Sequence, residues 1–356
     1  MFRKWGPNNF GIAGQINRNN EFKSNVDITK PIEEVDKLFD VIIADDLSNS
    51  SIDVVDNIAR ITGIRPAFEK VDLSEKNPTK DFFKRYDGIN AVIHFAAFKA
   101  VGESVDQPLK YYRNNLGSLL NLLEEMNAHG IRDIVFSSSC TVYGQPDQLP
   151  VTEKAPIKKA ASPYGNTKQI SEEIITDVSQ VSSLQAILLR YFNPIGAHES
   201  ALIGELPIGV PNNLMPYITQ TAIGKREFLR VFGKDYETPD GTAIRDYIHV
   251  VDLAKAHVIA IERMLAGKNK HKVEVFNLGT GTGYSVLDVI KSFERTTNIK
   301  LDYRFMERRP GDIQEVWADT EFANRELGWK ALKSLDEMTL SAWNWEKRLA
   351  GKFNDQ

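Results

Sequence analysis

The sequence has 356 residues, 42% hydrophobic and 26% charged, an ordinary globular balance that excludes long disorder and fits two domains or one large α/β domain with a cap. Its 44 basic residues face 48 acidic ones, a net charge of −4 with no basic stripe, which argues against a nucleic-acid partner. No apolar run could cross a bilayer, the amino terminus lacks the apolar segment of a signal peptide, and the single cysteine, Cys140, allows no internal disulfide; a cytoplasmic chain is expected.

From about residue 40, short apolar strands alternate with amphipathic helices. Residues 41–45 read as a buried strand and 51–62 as the helix after it. Residues 91–95 form a second strand, and 111–129 a helix with Leu116, Leu119, Leu120, Leu123 and Met126 on one face. A strand at 134–136, a helix at 162–178 started by Pro163, and a strand at 186–191 follow. Strands that are apolar throughout and separated by helices indicate an α/β fold with a Rossmann-like, doubly wound parallel sheet over residues 1–190. Beyond Arg190 the chain becomes rich in Pro, Gly and Asn up to residue 247. It then reads as helix (246–264), strand (273–278) and helix (285–296). Residues 191–356 are therefore expected to form mainly a smaller C-terminal α/β domain, with 248–280 returning to the main sheet.

The strongest chemical signal is Tyr164-Gly165-Asn166-Thr167-Lys168. On a helix, positions i and i+4 share a face, so the phenol and the ammonium can converge on one ligand. A free tyrosine, with a pKa near ~10, is a poor base, but a nearby cation favours phenolate. A phenolate beside a sugar hydroxyl can take its proton as hydride leaves for a nicotinamide. A Tyr and a Lys four apart are more often plain surface residues, so context decides. Upstream, Ser137-Ser138-Ser139 stands where a strand ends, and in a doubly wound sheet ligand groups gather at the carboxyl ends of strands. A serine there can orient the reacting hydroxyl. Cys140 has no His at a telling position and reads as a small buried residue. The histidines (94, 129, 198, 249, 257 and 271) show no metal-ligand spacing, so no metal is expected.

Eight separated segments resemble the extended short-chain dehydrogenase/reductases and, within them, the UDP-glucose 4-epimerases. They are residues 45–50, 94–104, 137–144, 164–168, 190–194, 211–216, 245–249 and 308–312. Relatives that dehydrate nucleotide sugars carry Thr-Asp-Glu where this chain has Ser139-Cys140-Thr141, which favours an epimerase. The resemblance implies an isomerase of galactose and carbohydrate metabolism that uses NAD and a UDP-sugar. The C4 carbon is transiently oxidised to a 4-keto sugar, and hydride returns on the opposite face. By resemblance, Tyr164 is the base, Lys168 its electrostatic partner and a ribose contact, and Ser139 shares the sugar hydroxyl. Asp45 accepts the adenosine ribose hydroxyls, with Asp46, Asn49 and Ser50 beside it, and Asp72 and Leu73 flank the adenine. Phe95, Ala96, Ala97, Lys99 and Phe192 line the cofactor, with Asn115 packed beneath. Asn193, Asn213, Leu214, Phe232, Arg245, Arg309 and Asp312 hold uridine and diphosphate. Val316 stands where some members carry a bulky tyrosine against the hexose. It either leaves room for N-acetylated hexosamines or simply packs the core. The family commonly forms homodimers.

The family opens with a strand running into Gly-x-x-Gly-x-x-Gly and a helix, whose amides meet the cofactor pyrophosphate. Residues 1–40 carry no such segment: Gly11 and Gly14 have one of the right spacings, but position 17 is Asn. Residues 32–39 fit a short helix. Three accounts stay open: a replaced N-terminus from an altered or wrongly started reading frame, a divergent segment that still supplies a strand, or a chain that has lost NAD. The last would be a catalytically inactive nucleotide-sugar-binding protein. Another enzyme of the extended family, such as a decarboxylase or dehydratase, is disfavoured by Ser139-Cys140-Thr141.

Overall fold

The computed structural model describes residues 11–15, 39–207, 209–309 and 312–353. In chain order the first half contains β1 (Gly11–Gln15), β2 (Asp40–Asp45), α1 (Asp53–Thr62), β3 (Ala67–Lys70), α2 (Lys76–Arg85), β4 (Ala91–His94), α3 (Val101–Asp106), α4 (Pro108–Ala128), β5 (Asp133–Ser139), α5 (Pro163–Val181) and β6 (Gln185–Tyr191). The second half contains β7 (Asn193–Ile195), α6 (Leu214–Ala222), β8 (Leu229–Phe232), β9 (Ile244–His249), α7 (Val250–Leu265), β10 (Val273–Leu278), β11 (Gly283–Ser285), α8 (Val286–Thr297), β12 (Tyr303–Met306), β13 (Glu315–Val316) and α9 (Leu335–Leu349).

The main sheet runs β10-β6-β5-β4-β1-β2-β3. Alternation along its strands divides the core into two layers. Ile43, Ile93, Val135 and Leu189 face α1 and α7, meeting Val54, Ile58 and Leu253. Ile42, Val92, Ile134, Phe136 and Leu188 face the other way, onto Phe82 of α2, Leu119, Leu122 and Met126 of α4, and Ile175 of α5. Both faces are covered, which is why β4 and β5 are buried throughout. Each fully buried Leu or Ile contributes roughly 1.5–3 kcal/mol. The buried stripe of α4 includes Leu122 rather than Leu120, which is exposed at 47%.

The helix that carries the Tyr/Lys pair starts at Pro163, where the missing N–H costs nothing, and Ser162 Oγ accepts the Gly165 amide at 3.1 Å. Residues 246–249, expected as the start of a helix, are instead the end of β9. Tyr247 and Ile248 are buried there, and the strand is held by β7, β11 and β13. Tertiary pairing overrides the helical pattern, and α7 begins at Val250. β10 pairs in parallel with β6, placing Val273–Leu278 at the edge of the main sheet. A second sheet (β11-β9-β13, with β7 on β9) and the β8–β12 pair form the smaller layer, closed by α8 and α9.

The parallel expectation fails at one strand. β1 lies between β2 and β4 and is antiparallel to both, with Gly11 opposite Ala44 and His94 and Gln15 opposite Asp40. The strand satisfies the facing backbone edges of β2 and β4, which would otherwise be unpaired. Gly11 and Gly14 are therefore ladder residues and not members of a phosphate-binding turn. β1 ends at the amino edge of its neighbours, away from the edge where Asp45 and Ser139 end their strands. Residues 32–38 of the expected short helix lie outside the described residues, and Phe39 belongs to no helix.

Candidate active site

A cavity of about 300 Å³ opens at the carboxyl edge of β4, β5 and β6. The strand register explains which serines reach it. Ser138 pairs with Arg190, while Ser137 and Ser139 pair with Leu189 and Tyr191. Alternation sends Ser138 toward α5, where its hydroxyl donates to Glu172. Ser137 and Ser139 line the cavity, with the Ser137 hydroxyl on the Tyr191 hydroxyl at 2.5 Å. Ser139 Oγ also caps the short turn at Cys140–Tyr143 by accepting the Thr141 amide at 3.2 Å.

Tyr164 and Lys168 line the same cavity and are buried, with 7% and 4% of their surfaces exposed. Lys168 Nζ donates to the Ser137 carbonyl at 2.5 Å and lies 4.7 Å from the centre of the Phe136 ring. Burial pushes the Tyr164 phenol well up, the neighbouring Tyr191 adds to this, and the Ser139 hydroxyl pulls it part of the way back. Burial dominates here, so the lowering expected from a neighbouring cation is not what this arrangement gives. Burial also pushes Lys168 down to about 7, with Glu172 acting in the opposite direction. Beneath the pair, Asn115 fixes the loop after β4. It accepts the Phe98 amide at 2.7 Å, donates to the Phe98 carbonyl at 2.9 Å and donates to Thr167 Oγ1 at 3.0 Å. That loop carries Phe95, Ala97 and Lys99 to the cavity wall. Lys99 pairs electrostatically with Glu205; burial lowers the lysine and raises the carboxyl to about 7.

The opposite wall belongs to the smaller layer. Phe192, Asn193, Asn213 and Leu214 reach it, with the Asn213 amide donating to Glu205 at 2.6 Å. Arg309 stacks 3.9 Å from the centre of the Phe232 ring. Arg245 is braced by Asp312 and by the carbonyls of Ile244 at 2.8 Å and Ile313 at 2.6 Å. All four of these side chains line the cavity. Val316 does not. It is buried at 3% exposure behind the wall, packed with Val142, Tyr143 and Phe192. Cys140 lines the cavity, but burial pushes its thiol up to about 12, which removes it as a nucleophile.

A second, narrow cleft lies past Ala96, walled by Asp45, Asp46, Asp72 and Leu73. Asp45 Oδ1 accepts the Leu47 amide at 2.7 Å and the Ser50 hydroxyl at 2.5 Å, and Leu47 sits at φ 57°. This left-handed conformation is costly for leucine and holds the turn tightly around the carboxylate. Asn49 Oδ1 is buried with no hydrogen-bond partner among the described residues. A carboxylate at a strand end, a buried free acceptor beside it and a buried lysine farther along the same edge fit an adenosine ribose at one end and a nicotinamide ribose at the other. The residues present therefore fit NAD, although β1 runs antiparallel and so does not lead into a phosphate-binding turn at this edge.

Sequence reasoning missed Tyr217 and Arg230, which also line the cavity, with Arg230 Nε donating to the Tyr217 hydroxyl at 3.1 Å. Arg230 stands two residues before Phe232 on β8, so the period of two was the available signal. Glu172 and Arg190 were also missed as a pair. Among the described residues no cluster of His, Cys, Asp or Glu could hold a metal, and no helix is long and apolar enough to cross a membrane.

A doubly wound sheet with a buried Tyr-x-x-x-Lys pair and a strand-end serine at its carboxyl edge defines the nicotinamide-dependent short-chain dehydrogenase/reductase class. The family model described as GDP-mannose 4,6 dehydratase matches residues 35–341. A UDP-glucose 4-epimerase of Bacillus subtilis is 49% identical over 316 residues, 88% of this chain and 92% of that one. The Bifidobacterium longum UDP-glucose 4-epimerase, crystallised with NAD+ and UDP, superposes with a TM-score of 0.83 at 46% identity, covering 88% of this chain and 92% of that one. The Stenotrophomonas maltophila enzyme, with NAD and formylated UDP-arabinopyranose, gives a TM-score of 0.83 at 45% identity over 87% of this chain and 91% of that one. The chain belongs to the UDP-glucose 4-epimerases of the extended short-chain dehydrogenase/reductase family.

Proposed function

We propose that this protein interconverts UDP-glucose and UDP-galactose at C4 with NAD. One observation carries the reading: a single cavity joins a proton-handling wall (Tyr164, Lys168, Ser139) to a wall suited to a diphosphate and a base (Arg245, Arg309, Phe232). NAD, when bound, supplies hydride acceptance and return, which leaves no net redox change. Tyr164, in its phenolate form, takes the C4 hydroxyl proton to become the phenol and returns it when hydride comes back, so the burial that favours the phenol favours the proton-accepted state. Ser139 orients that hydroxyl toward the phenol. Lys168 places its positive charge where phenolate character develops, and the surrounding burial strengthens that interaction. Arg245 and Arg309 offer guanidinium forks to the diphosphate, and Phe232 offers a ring face to the base. Asp45 holds the adenosine ribose, since a carboxylate disfavours a 2′-phosphate and selects NAD over NADP.

We also propose that the site residues read from the sequence act as assigned, with residues 1–190 mainly holding NAD and 191–356 mainly the UDP-sugar. A homodimer is supported by the exposed apolar residues Val105 of α3 and Leu109 and Leu120 of α4. A cytoplasmic location is supported by the single cysteine. The test is to supply UDP-galactose and NAD and follow UDP-glucose by chromatography. Interconversion toward equilibrium from either sugar is expected. A folded protein that binds UDP but never converts the sugar would leave the inactive-binder alternative standing.

A further inference from the structure

The catalytic face of α5 does not stop at Lys168. Glu172 is one turn further along and 7% exposed, and neither of its side-chain hydrogen-bond partners, Ser138 and Arg190, lines the cavity. Its carboxylate accepts Arg190 Nε at 2.9 Å and Arg190 Nη2 at 2.5 Å, together with the Ser138 hydroxyl. Arg190 is itself fixed. Its Nη1 donates to the Tyr143 hydroxyl at 3.0 Å, and that hydroxyl donates to Asn277 Oδ1 at 2.6 Å. A buried carboxylate with three donors cannot swing away, so its charge stands at a fixed place one turn from Lys168.

We infer that Glu172 is a positioning residue: locked by Arg190 and Ser138, it is the fixed counter-ion that keeps Lys168 cationic beside Tyr164. This rests on the proposed epimerase reading. The groups around Lys168 are Tyr164 and Glu172 on its own helix, the Ser137 carbonyl and Phe136 ring on β5, Arg190 and Tyr191 on β6, and Lys99 across the cavity. Of these, Glu172 is the anion that acts on Lys168, and it opposes the burial that pushes the ammonium down to about 7. The sign follows directly. Removing the negative charge leaves burial unopposed and the Arg190 cation uncompensated, and both favour the neutral amine, so Lys168 loses its proton at lower pH and the alkaline limb of activity moves toward acid.

The experiment compares wild type, Glu172→Gln, Glu172→Asp and the double variant Glu172→Gln/Arg190→Gln, which replaces the ion pair by two neutral amides. For each, kcat and KM for UDP-galactose are measured against pH. The Lys168 protonation midpoint is read independently by NMR of ¹³C-labelled lysine, assigned with Lys168→Met. Glu172→Gln should shift both the alkaline limb and the NMR midpoint downward by roughly one pH unit, and the double variant, which also removes the Arg190 cation, by less but in the same direction, with KM little changed. Glu172→Asp should recover most of the shift. A loss of kcat by the same factor at every pH, with an unmoved NMR midpoint, would overturn the inference. So would failure of both Gln variants to fold, which would make the pair purely structural. An inactive wild type would sink the epimerase reading instead, while the NMR midpoints would still decide the role of Glu172.

Discussion

The two ends of the carboxyl edge are built differently. At β5 and β6 every proposed catalytic group is over-determined. Lys168 is held by a strand carbonyl, Ser139 by the turn it caps, and the helix that carries Tyr164 by Asn115 through Thr167. At β1 and β2 the Asp45 turn is tightly hydrogen-bonded, but the neighbouring strand runs antiparallel and ends at the far edge. The proposed proton-handling groups are thus secured by buried hydrogen bonds, while among the described residues the proposed ribose end rests on the Asp45 turn.

Perturbing the stronger end should give the largest effect. Tyr164→Phe should lower kcat by about 10²- to 10⁴-fold with UDP binding retained, as steady-state kinetics and calorimetry would show. A loss of less than tenfold would remove Tyr164 from the proton path. At the weaker end, Asp45→Ala leaves the Leu47 amide and Ser50 hydroxyl without their acceptor and removes the ribose contact. NAD affinity should fall by about 10- to 100-fold, from roughly 1–3 kcal/mol of lost hydrogen bonding, with kcat at saturating NAD nearly unchanged. Unchanged affinity would mean that the cofactor is anchored elsewhere. Arg309→Met, on the substrate wall, should raise KM for UDP-sugars by about tenfold and leave NAD content untouched. Smallest of all, Val316→Ala should cost roughly 0.5–3 kcal/mol of stability and change UDP-glucose turnover only a few-fold, since the side chain packs behind the wall. Turnover of UDP-N-acetylglucosamine would show whether the pocket is nevertheless wide enough for an acetamido group.

The same contrast explains what the sequence disclosed. The strands at 41–45, 91–95 and 186–191 were legible because they are apolar throughout, and the Tyr164 helix because Ser162-Pro163 marks its start. These signals are local. The direction of β1 is not: a short segment such as Gly11–Gln15 pairs either way, and only its neighbours decide. The division of labour within Ser137-Ser138-Ser139 required the pairing with Arg190, and the depth of Val316 required the packing of residues 142, 143 and 192 around it. Glu172 lies four residues after Lys168, a spacing that describes an exposed ion pair equally well, so its burial and its fork with Arg190 were invisible before folding.

The most direct measurement is made on one sample of purified protein with no NAD added: conversion of UDP-galactose to UDP-glucose, followed by denaturation and assay of released NAD. The account predicts conversion together with NAD released in proportion to active protein, both brought to full occupancy by added NAD. A folded sample that neither releases NAD nor converts the sugar after NAD is supplied would contradict it.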